Sequence, residues 1–262
     1  MRVAGEPLAL RLLTHTSDSP AADLALEEAL HLCVEEDASP NTWRLWSARD
    51  TAVILGTGQE AAREANLDAA QAENISVLRR HSGGGAVVIG PGTINFSAFF
   101  RNENLPGSQT IQGAMRAALA TVIETLSALG LKNAQMAGLS DLAVLSADGT
   151  LRKIAGNSQA RKRRSVVVHG TLLADPDWAR IGRLLKFPSS IPEYRAGRPH
   201  TDFLTSLKQC GAPFSFDAFR AEFAKRLPND IDEASTPSPH EAERAKILLA
   251  EKYSLNAWNF RR

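Results

Sequence analysis

Cysteine is nearly absent. Cys33 and Cys210 are the only two in 262 residues and form no C-x-x-C pair, so neither a zinc site nor a disulfide framework is indicated. Long apolar runs are missing too: nothing approaches the roughly 20 residues of a membrane span. Met1-Arg2-Val3-Ala4-Gly5 contains no apolar signal-peptide region, so a reducing cytoplasm is the expected setting. Nor is there an excess of charge of one sign. The 30 Lys and Arg against 29 Asp and Glu leave no global field to gather nucleic acid or anionic membrane. An anionic substrate must be met by local groups. What is present is a soluble globular balance, 44% apolar and 23% charged, with no internal repeat, low-complexity tract or convincing linker. Residues 1–262 therefore read as one domain.

Helix and strand signals alternate along it. Ser17-Asp18-Ser19-Pro20 is a helix start, and Leu24, Ala25, Ala29, Leu32 and Cys33 recur at helical spacing to about Glu36. From Thr42 the period changes, with Trp43 and Leu45 alternating with polar residues, and Ala52–Leu55 is a second strand. A helix is expected over Ala61–Ala72, then a buried strand over Ile75–Leu78 that delivers Arg79 and Arg80 into a glycine run. Ala86–Ile89 and Thr93–Phe100 read as a strand pair joined by Gly90-Pro91-Gly92. The clearest amphipathic helix covers 108–129, with Ile111, Met115, Leu119, Val122 and Leu126 on one stripe and Gly130 at its end. Leu142–Leu145 and Leu151–Ile154 flank Asp148-Gly149 as a β-hairpin with a two-residue turn. A strand over Ser165–Leu173 and a short helix over Asp177–Leu185 follow. Residues 187–202, rich in Pro, Gly, Arg and His, form a long functional loop, and helices near 216–227 and 239–252 close the chain.

Gly83-Gly84-Gly85 sits between two expected strands, where each glycine loses much backbone entropy. Bare glycine backbone admits a ligand closely and turns amide N–H groups toward an anion. Arg79 and Arg80 add charge-assisted donors for phosphate or carboxylate. The competing reading is a flexible connection with incidental arginines. A Walker A loop is excluded, because no Gly-Lys-Ser/Thr follows. Lys153 follows the hairpin turn, with Gly156 three residues on. Joining a carboxylate to the α-phosphate of ATP brings two anions together and needs a fixed cation between them, although a lysine near a turn is more often solvated surface. His169 and Gly170 lie inside a strand, either as a core histidine satisfied by backbone or at a close ligand approach. Gly56-Thr57-Gly58-Gln59-Glu60-Ala61 fits the G-x-G-x-x-A dinucleotide pattern, but the next strand ends in Arg79 and Arg80 instead of an acidic residue for ribose. Those arginines would suit a 2′-phosphate, which keeps that reading as a minor alternative. Arg161-Lys162-Arg163-Arg164 is a solvated loop, or a contact for an acidic partner protein or for ATP phosphates.

Taken in order, these segments resemble the lipoate–protein ligase family of the biotin/lipoate ligase superfamily. Arg79–Val87 is similar to its R-R-x-S-G-G-G-A-V signature, and Gly92–Ser97 to the strand that follows. Ser140-Asp141-Leu142, Arg152–Gln159 and His169–Leu173 are similar to its N-D-L, K-I-x-G-x-x-Q and H-G-T-L-L segments. Asp23–Glu28 resembles the first helix, and Glu251–Tyr253 with Trp258–Phe260 the end of the catalytic domain. The resemblance implies an α/β (mixed α+β) fold: a central mixed β-sheet flanked by helices, of the class II aminoacyl-tRNA synthetase/biotin–lipoate ligase type. It implies ATP, with Mg2+, and lipoate in adjoining pockets. Lys153 would touch both the lipoate carboxylate and the α-phosphate. Arg80, Gly85, Ala86, Val87 and Val88 would wall the ATP, and Arg80, Ser82, Gly83, Gly84 and His169 would join Lys153 around lipoate. Asn95, Asp141 and Gly156 lie in matching segments and enter as further site candidates; no residue is assigned to a metal. The implied reaction makes lipoyl-adenylate and transfers the acyl group to a lysine of a lipoyl-domain protein, a 2-oxoacid dehydrogenase E2 or a glycine-cleavage H-type protein. Ser140 stands where the family usually has Asn. The chain stops at Arg262, where the family's catalytic domain ends, so a separate accessory-domain subunit is a further partner to expect; nucleic acid and membrane are not.

Two rivals remain. An octanoyltransferase of the same superfamily works through a cysteine thioester without ATP. In one branch the cysteine lies shortly before the lysine, where Gln135–Leu139 has none; in the other it stands beside a downstream glycine, where Cys210-Gly211 qualifies. Cys210 equally reads as a plain loop or helix-end thiol. The second rival is a non-catalytic lipoate- or adenylate-binding subunit, against which the retention of Lys153, Arg80 and the glycines argues.

Overall fold

Apolar alternation assembles two sheets in the computed structural model, which describes residues 10–212 and 215–261. Met1–Gly5, read above for a signal peptide, lie outside the described residues. The chain runs through β1 (Arg11–Thr14), α1 (Pro20–Glu35), β2 (Thr42–Trp46), β3 (Ala52–Leu55), α2 (Ala61–Glu64), α3 (Leu67–Ala72), β4 (Ser76–Arg79) and β5 (Val87–Ile89). Next come β6 (Thr93–Arg101), α4 (Ile111–Ala128), β7 (Ala134–Ala137), β8 (Asp141–Leu145), β9 (Leu151–Arg161) and β10 (Ser165–Leu173). It ends with α5 (Trp178–Leu184), α6 (His200–Phe203), α7 (Phe216–Ala224), β11 (Asp232–Ala234), α8 (Pro239–Leu248), a π-helical turn (Leu249–Tyr253) and α9 (Asn256–Asn259).

Eight strands form the large sheet in the order β11-β1-β2-β6-β10-β9-β8-β7, and three form the small one, β4-β3-β5. In the large sheet β1 runs parallel to β2 and β11, and the other pairs are antiparallel. One face of the large sheet, with Ile94, Phe96, Ala98 and Val168, packs on Met115, Leu119 and Val122 of α4 and on Phe219 and Phe223 of α7. On the other face α1 lays Leu26, Leu30 and Val34 over Phe99 and Val167. There the small sheet meets Leu24 and Trp46 through Ile54, Leu78 and Ile89, and its far side packs Val53, Leu55 and Val88 on Ile181 and Leu184 of α5. This is the mixed α/β class expected, a large mixed sheet flanked by helices. Among the described residues no helix is long and apolar enough to cross a membrane.

The first long helix starts where its cap predicts: the Ser19 hydroxyl accepts from the Ala22 N–H, and Pro20 opens the first turn. Several boundaries differ from the reading above. β5 and β6 are not a hairpin; Gly90-Pro91-Gly92 carries the chain out of the small sheet and into the large one. The helix expected over 61–72 is two, broken where the Asn66 side chain caps α3 and Ala65 bridges to Leu185. Ile111 is not on the buried stripe of α4 but 62% exposed at its start. The β8–β9 hairpin forms, but its strands are separated by residues 146–150, a longer turn closed by Asp148 accepting from Thr150. Strand β9 runs on to Arg161, and β1, β7 and β11 carried too few alternating residues to be recognised.

Arg44 is one of two fully buried arginines among the described residues. Its side chain is fully buried and donates to Glu27 at 2.8 Å, to Asp23 and to the His15 carbonyl. Arg44→Met leaves two buried carboxylates without their cation, and should lower the free energy of unfolding by roughly 3–5 kcal/mol. Urea unfolding measures this, and a loss below about 1 kcal/mol would show that Arg44 is not what makes those carboxylates tolerable.

Candidate active site

Strand register, more than nearness in sequence, brings the site together. On the α1 side of the large sheet every second residue of a strand faces the same way. Pairing lines those residues into two rows. Asp141, Gly156, Thr171, Asn95 and Trp46 stand opposite one another across β8, β9, β10, β6 and β2. One step along, Ser158, His169, Ser97 and Arg44 form the second row.

Lys153 reaches the first row through an irregularity. The β8–β9 register shifts between Leu142 and Ala143, and the Lys153 Nζ comes to lie 2.8 Å from Asp141 Oδ1. A Cβ on Gly156 would stand 3.0 Å from that nitrogen. Glycine three residues after lysine therefore leaves the ammonium its place, which gives the sequence spacing a steric reason. Tyr194 donates its hydroxyl to Asp141 Oδ2 at 2.8 Å, and the Thr205 N–H donates to the Lys153 carbonyl at 2.9 Å. The Lys153 side chain stays 24% exposed, so this is a held but reachable cation.

The glycine loop is bolted to the second row. Ser82 Oγ lies 2.6 Å from His169 Nε2, and the Ser158 hydroxyl donates to the Gly83 carbonyl at 2.8 Å. On its other side His169 presents Nδ1 to Glu27 Oε2 at 3.4 Å, and that oxygen also accepts from the Ser97 hydroxyl at 2.6 Å. Burial would raise the Glu27 carboxyl, but the His169 hydrogen bond, the Arg44 charge and Ser97 together hold it down at about 2. Gly84 adopts φ +83, a left-handed conformation that suits glycine, and a Cβ there would stand 3.0 Å from Arg80 Nη2. A Cβ on Gly83 or Gly85 would meet nothing within 4 Å, so these two face open space. The loop is an open cradle on a fixed base.

The two arginines have different roles from the shared one expected. Arg80 donates to Ser82 Oγ at 2.9 Å and to the carbonyls of Gly83 and Gly85, and burial lowers its guanidinium to about 10. It shapes the loop. Arg79 points the other way, fully buried, and donates to the carbonyls of Gly56, Gln59, Trp258, Asn259 and Arg261. This removes the dinucleotide reading of Gly56–Ala61: that segment backs the glycine loop, with Gly56 pressed on the Gly84 carbonyl, and no donor of Arg79 is turned to a 2′-phosphate. Val88 packs with Val53 and Ile181 inside the small sheet, and Ala86 is partly buried there. Neither presents a side-chain wall, but β5 pairs on one side only and offers its outer backbone edge. The basic run lies at the far end of β9, with Arg161 roughly 26 Å along the strand from Lys153 at about 3.3 Å per residue. Arg161 there holds the Ser108 carbonyl and Arg164 pairs with Asp37. Both cysteines lie away from the lysine. Cys33 is fully buried, and Cys210 packs against the α4-side core next to Arg152, across the sheet from Lys153. Burial pushes both thiols up, away from thiolate.

The donor set fits an anionic ligand. In the row of Lys153, Asn95 Nδ2 and Trp46 Nε1 are buried without an acceptor among the described residues, while Asn95 Oδ1 accepts from Thr171. Sequence reasoning missed Trp46, Thr171, Ser97, Glu27 and Tyr194. The signal for part of this was present: Asn95/Ser97, Gly156/Ser158 and His169/Thr171 are small or polar residues two apart in otherwise apolar strands.

A held ammonium and an open glycine loop thus share one face of the large sheet. The model of the Lipoyl protein ligase A/B catalytic domain matches residues 19–228, and the chain belongs to that family. It is 28% identical to the octanoyltransferase LipM of Symbiobacterium thermophilum over 95% of this chain and 98% of that one. It is 27% identical to lipoate–protein ligase 1 of Staphylococcus aureus over 93% of this chain and 70% of that one. Among solved structures, that of a bipartite lipoate protein ligase and its E2 lipoyl domain from Thermoplasma acidophilum superposes with a TM-score of 0.80 at 24% identity, covering 97% and 96% of the two chains.

Two predictions arise from this geometry. Gly85→Val should fold normally, because its side chain meets no protein atom, yet block ligand binding; Gly84→Ala should instead disturb the loop itself through its positive φ and Arg80. Calorimetry with ATP and with lipoate, beside a melting curve, checks both, and unchanged affinities in Gly85→Val would remove the cradle from the site. The second concerns acid. Burial, then the facing charge of His81, pushes the fully buried His31 down to about 3. Between pH 6.5 and 3 the unfolded chain then binds the extra proton, so this stability is complete above 6.5 and is lost on acidification, on the order of 2 kcal/mol at pH 5. Melting at pH 7.5 and pH 5 should show a drop that shrinks in a folded His31→Asn; an identical drop would exclude His31 as its source.

Proposed function

We propose that this chain is an ATP-dependent lipoate–protein ligase, active on lipoate or octanoate. The observation that carries the reading is the Lys153–Asp141 pair, set on the same face as the open glycine loop with no cysteine beside it. A carboxylate is a poor acyl donor until it is activated. In the first step its oxygen attacks the α-phosphorus of ATP and pyrophosphate leaves, with Mg2+ accompanying the nucleotide. Lys153 neutralises the two anions as they meet, and Asp141 and Tyr194 fix where it stands. In the second step the amine of an acceptor lysine attacks the acyl carbonyl and AMP departs, its phosphate again facing Lys153. The unpaired donors of Asn95 and Trp46 and the open cradle at Gly83 and Gly85 suit the phosphate and carboxylate of these substrates. The acceptor in this reading is a lipoyl domain of an E2 or H-type protein in the cytoplasm, with an accessory subunit as a further partner.

The second reading is an octanoyltransferase, favoured by the similarity to LipM across nearly the whole chain. It requires a nucleophilic thiolate, and Cys210 lies across the sheet from Lys153 with its thiol raised by burial. The two separate in one assay, with free lipoate and MgATP in one tube, octanoyl-carrier protein in another, and an apo lipoyl domain in both. Transfer should need ATP and survive Cys210→Ser. Lys153→Ala, which removes the cation but leaves the sheet intact, should lower pyrophosphate release by about 10²–10³-fold or more. Transfer only from the carrier protein, abolished by Cys210→Ser, would replace the ligase reading with the transferase one.

A further inference from the structure

Residues 187–204 bring to Lys153 more positive charge than the site answers. Arg195 is 3% exposed, yet no carboxylate pairs with it among the described residues. Its Nε donates to the Arg198 carbonyl at 2.8 Å, and its Nη2 is buried with no acceptor. The guanidinium is clamped between two rings, 4.7 Å from the centroid of Phe187 and 4.8 Å from that of Phe203. Arg198 spends its donors on the carbonyls of Arg195, Leu151 and Tyr194. The segment is tied to the catalytic lysine at two points, through Tyr194 on Asp141 and through Leu204, which bridges to Lys153. His200 between them is lowered to about 4 by burial and then by the charges of Arg195 and Lys153, so both cations are felt at one place. Asp141 pairs with Lys153, and its charge also reaches Arg195.

A buried guanidinium without a counter-ion is costly unless an anion completes it. Ring contacts hold the guanidinium, Nε is taken by the Arg198 carbonyl, and Nη2 is left as a charged donor without an acceptor, which a phosphate oxygen would satisfy. We propose that Arg195 is an anion-binding residue of this site, placed to take a phosphate oxygen of the bound nucleotide. The assignment rests on the ligase reading above and names the group that would make the site selective for a polyphosphate-bearing donor. Arg198 holds the loop that presents it.

Calorimetry on the full chain with MgATP, and separately with lipoate, tests the assignment. Arg195→Met should weaken ATP binding about tenfold or more, the scale of one charge-assisted hydrogen bond, and leave lipoate affinity within twofold. Arg195→Lys keeps the charge without the fork and should recover part of the loss. Phe187→Ala, at a half-exposed position that does not endanger the core, should weaken ATP binding several-fold by freeing the guanidinium. ATP affinity within twofold of wild type in all three folded variants overturns the assignment while leaving the ligase reading intact. Equal losses for ATP and lipoate overturn it too, by giving Arg195 to the acyl carboxylate. A wild-type chain that binds no ATP removes the ligase reading itself, and this shows before any variant is made.

Discussion

The carboxylate of Glu27 is enclosed between α1 and the large sheet, and it stays charged there only because three donors converge on it. The glycine-loop half of the site follows from that requirement. Arg44 must be buried to meet Glu27, and its other arm takes Asp23, which fixes the first half of α1. His169 must turn Nδ1 inward, so Nε2 faces out and receives Ser82. Ser82 accepts from Arg80, and Arg80 gathers the carbonyls of the glycine loop. A run of glycines would ordinarily fluctuate; here its shape is dictated by a charge two side chains away. Removing any link would leave a polar atom stranded where water does not reach, so the chain of contacts stands or falls together.

The lysine is organised differently. Its partner Asp141 sits near the edge of the sheet, shared with a tyrosine from a loop, and the ammonium keeps contact with solvent. The site therefore has a rigid half, built on buried ion pairs, and a more open half, built on side chains at the sheet margin. The ligase reaction proposed above, with two substrates and then the lysine of a third molecule, would draw on both.

Much of this was legible in the sequence, and the failures have identifiable causes. The glycine run, the Lys153–Gly156 spacing and the His169 strand were visible because unusual residues stand close together along the chain. The two rows were not, because register joins Asp141 to Trp46 across five strands and no local pattern records it. Arg79 and Arg80 look equivalent in sequence, but successive residues of a strand face opposite ways, and that alternation sends one to the loop and the other to the back of the small sheet. Composition marked the stretch 187–202 as a candidate loop but not its contact with Asp141, about 50 residues earlier. β5 and β6 were read as a hairpin because two apolar runs around a glycine turn have the same signature whether they pair or part.

Arg79 has a consequence of another kind. The carbonyls it holds at Asn259 belong to a residue 180 positions further along the chain, and Asn259 returns a side-chain contact to the Arg79 backbone. A contact this remote in sequence closes a long loop, an entropic cost that neighbouring residues do not carry. The Gly56–Gln59 segment behind the glycine loop is thereby tied, through one side chain, to the far end of the described chain.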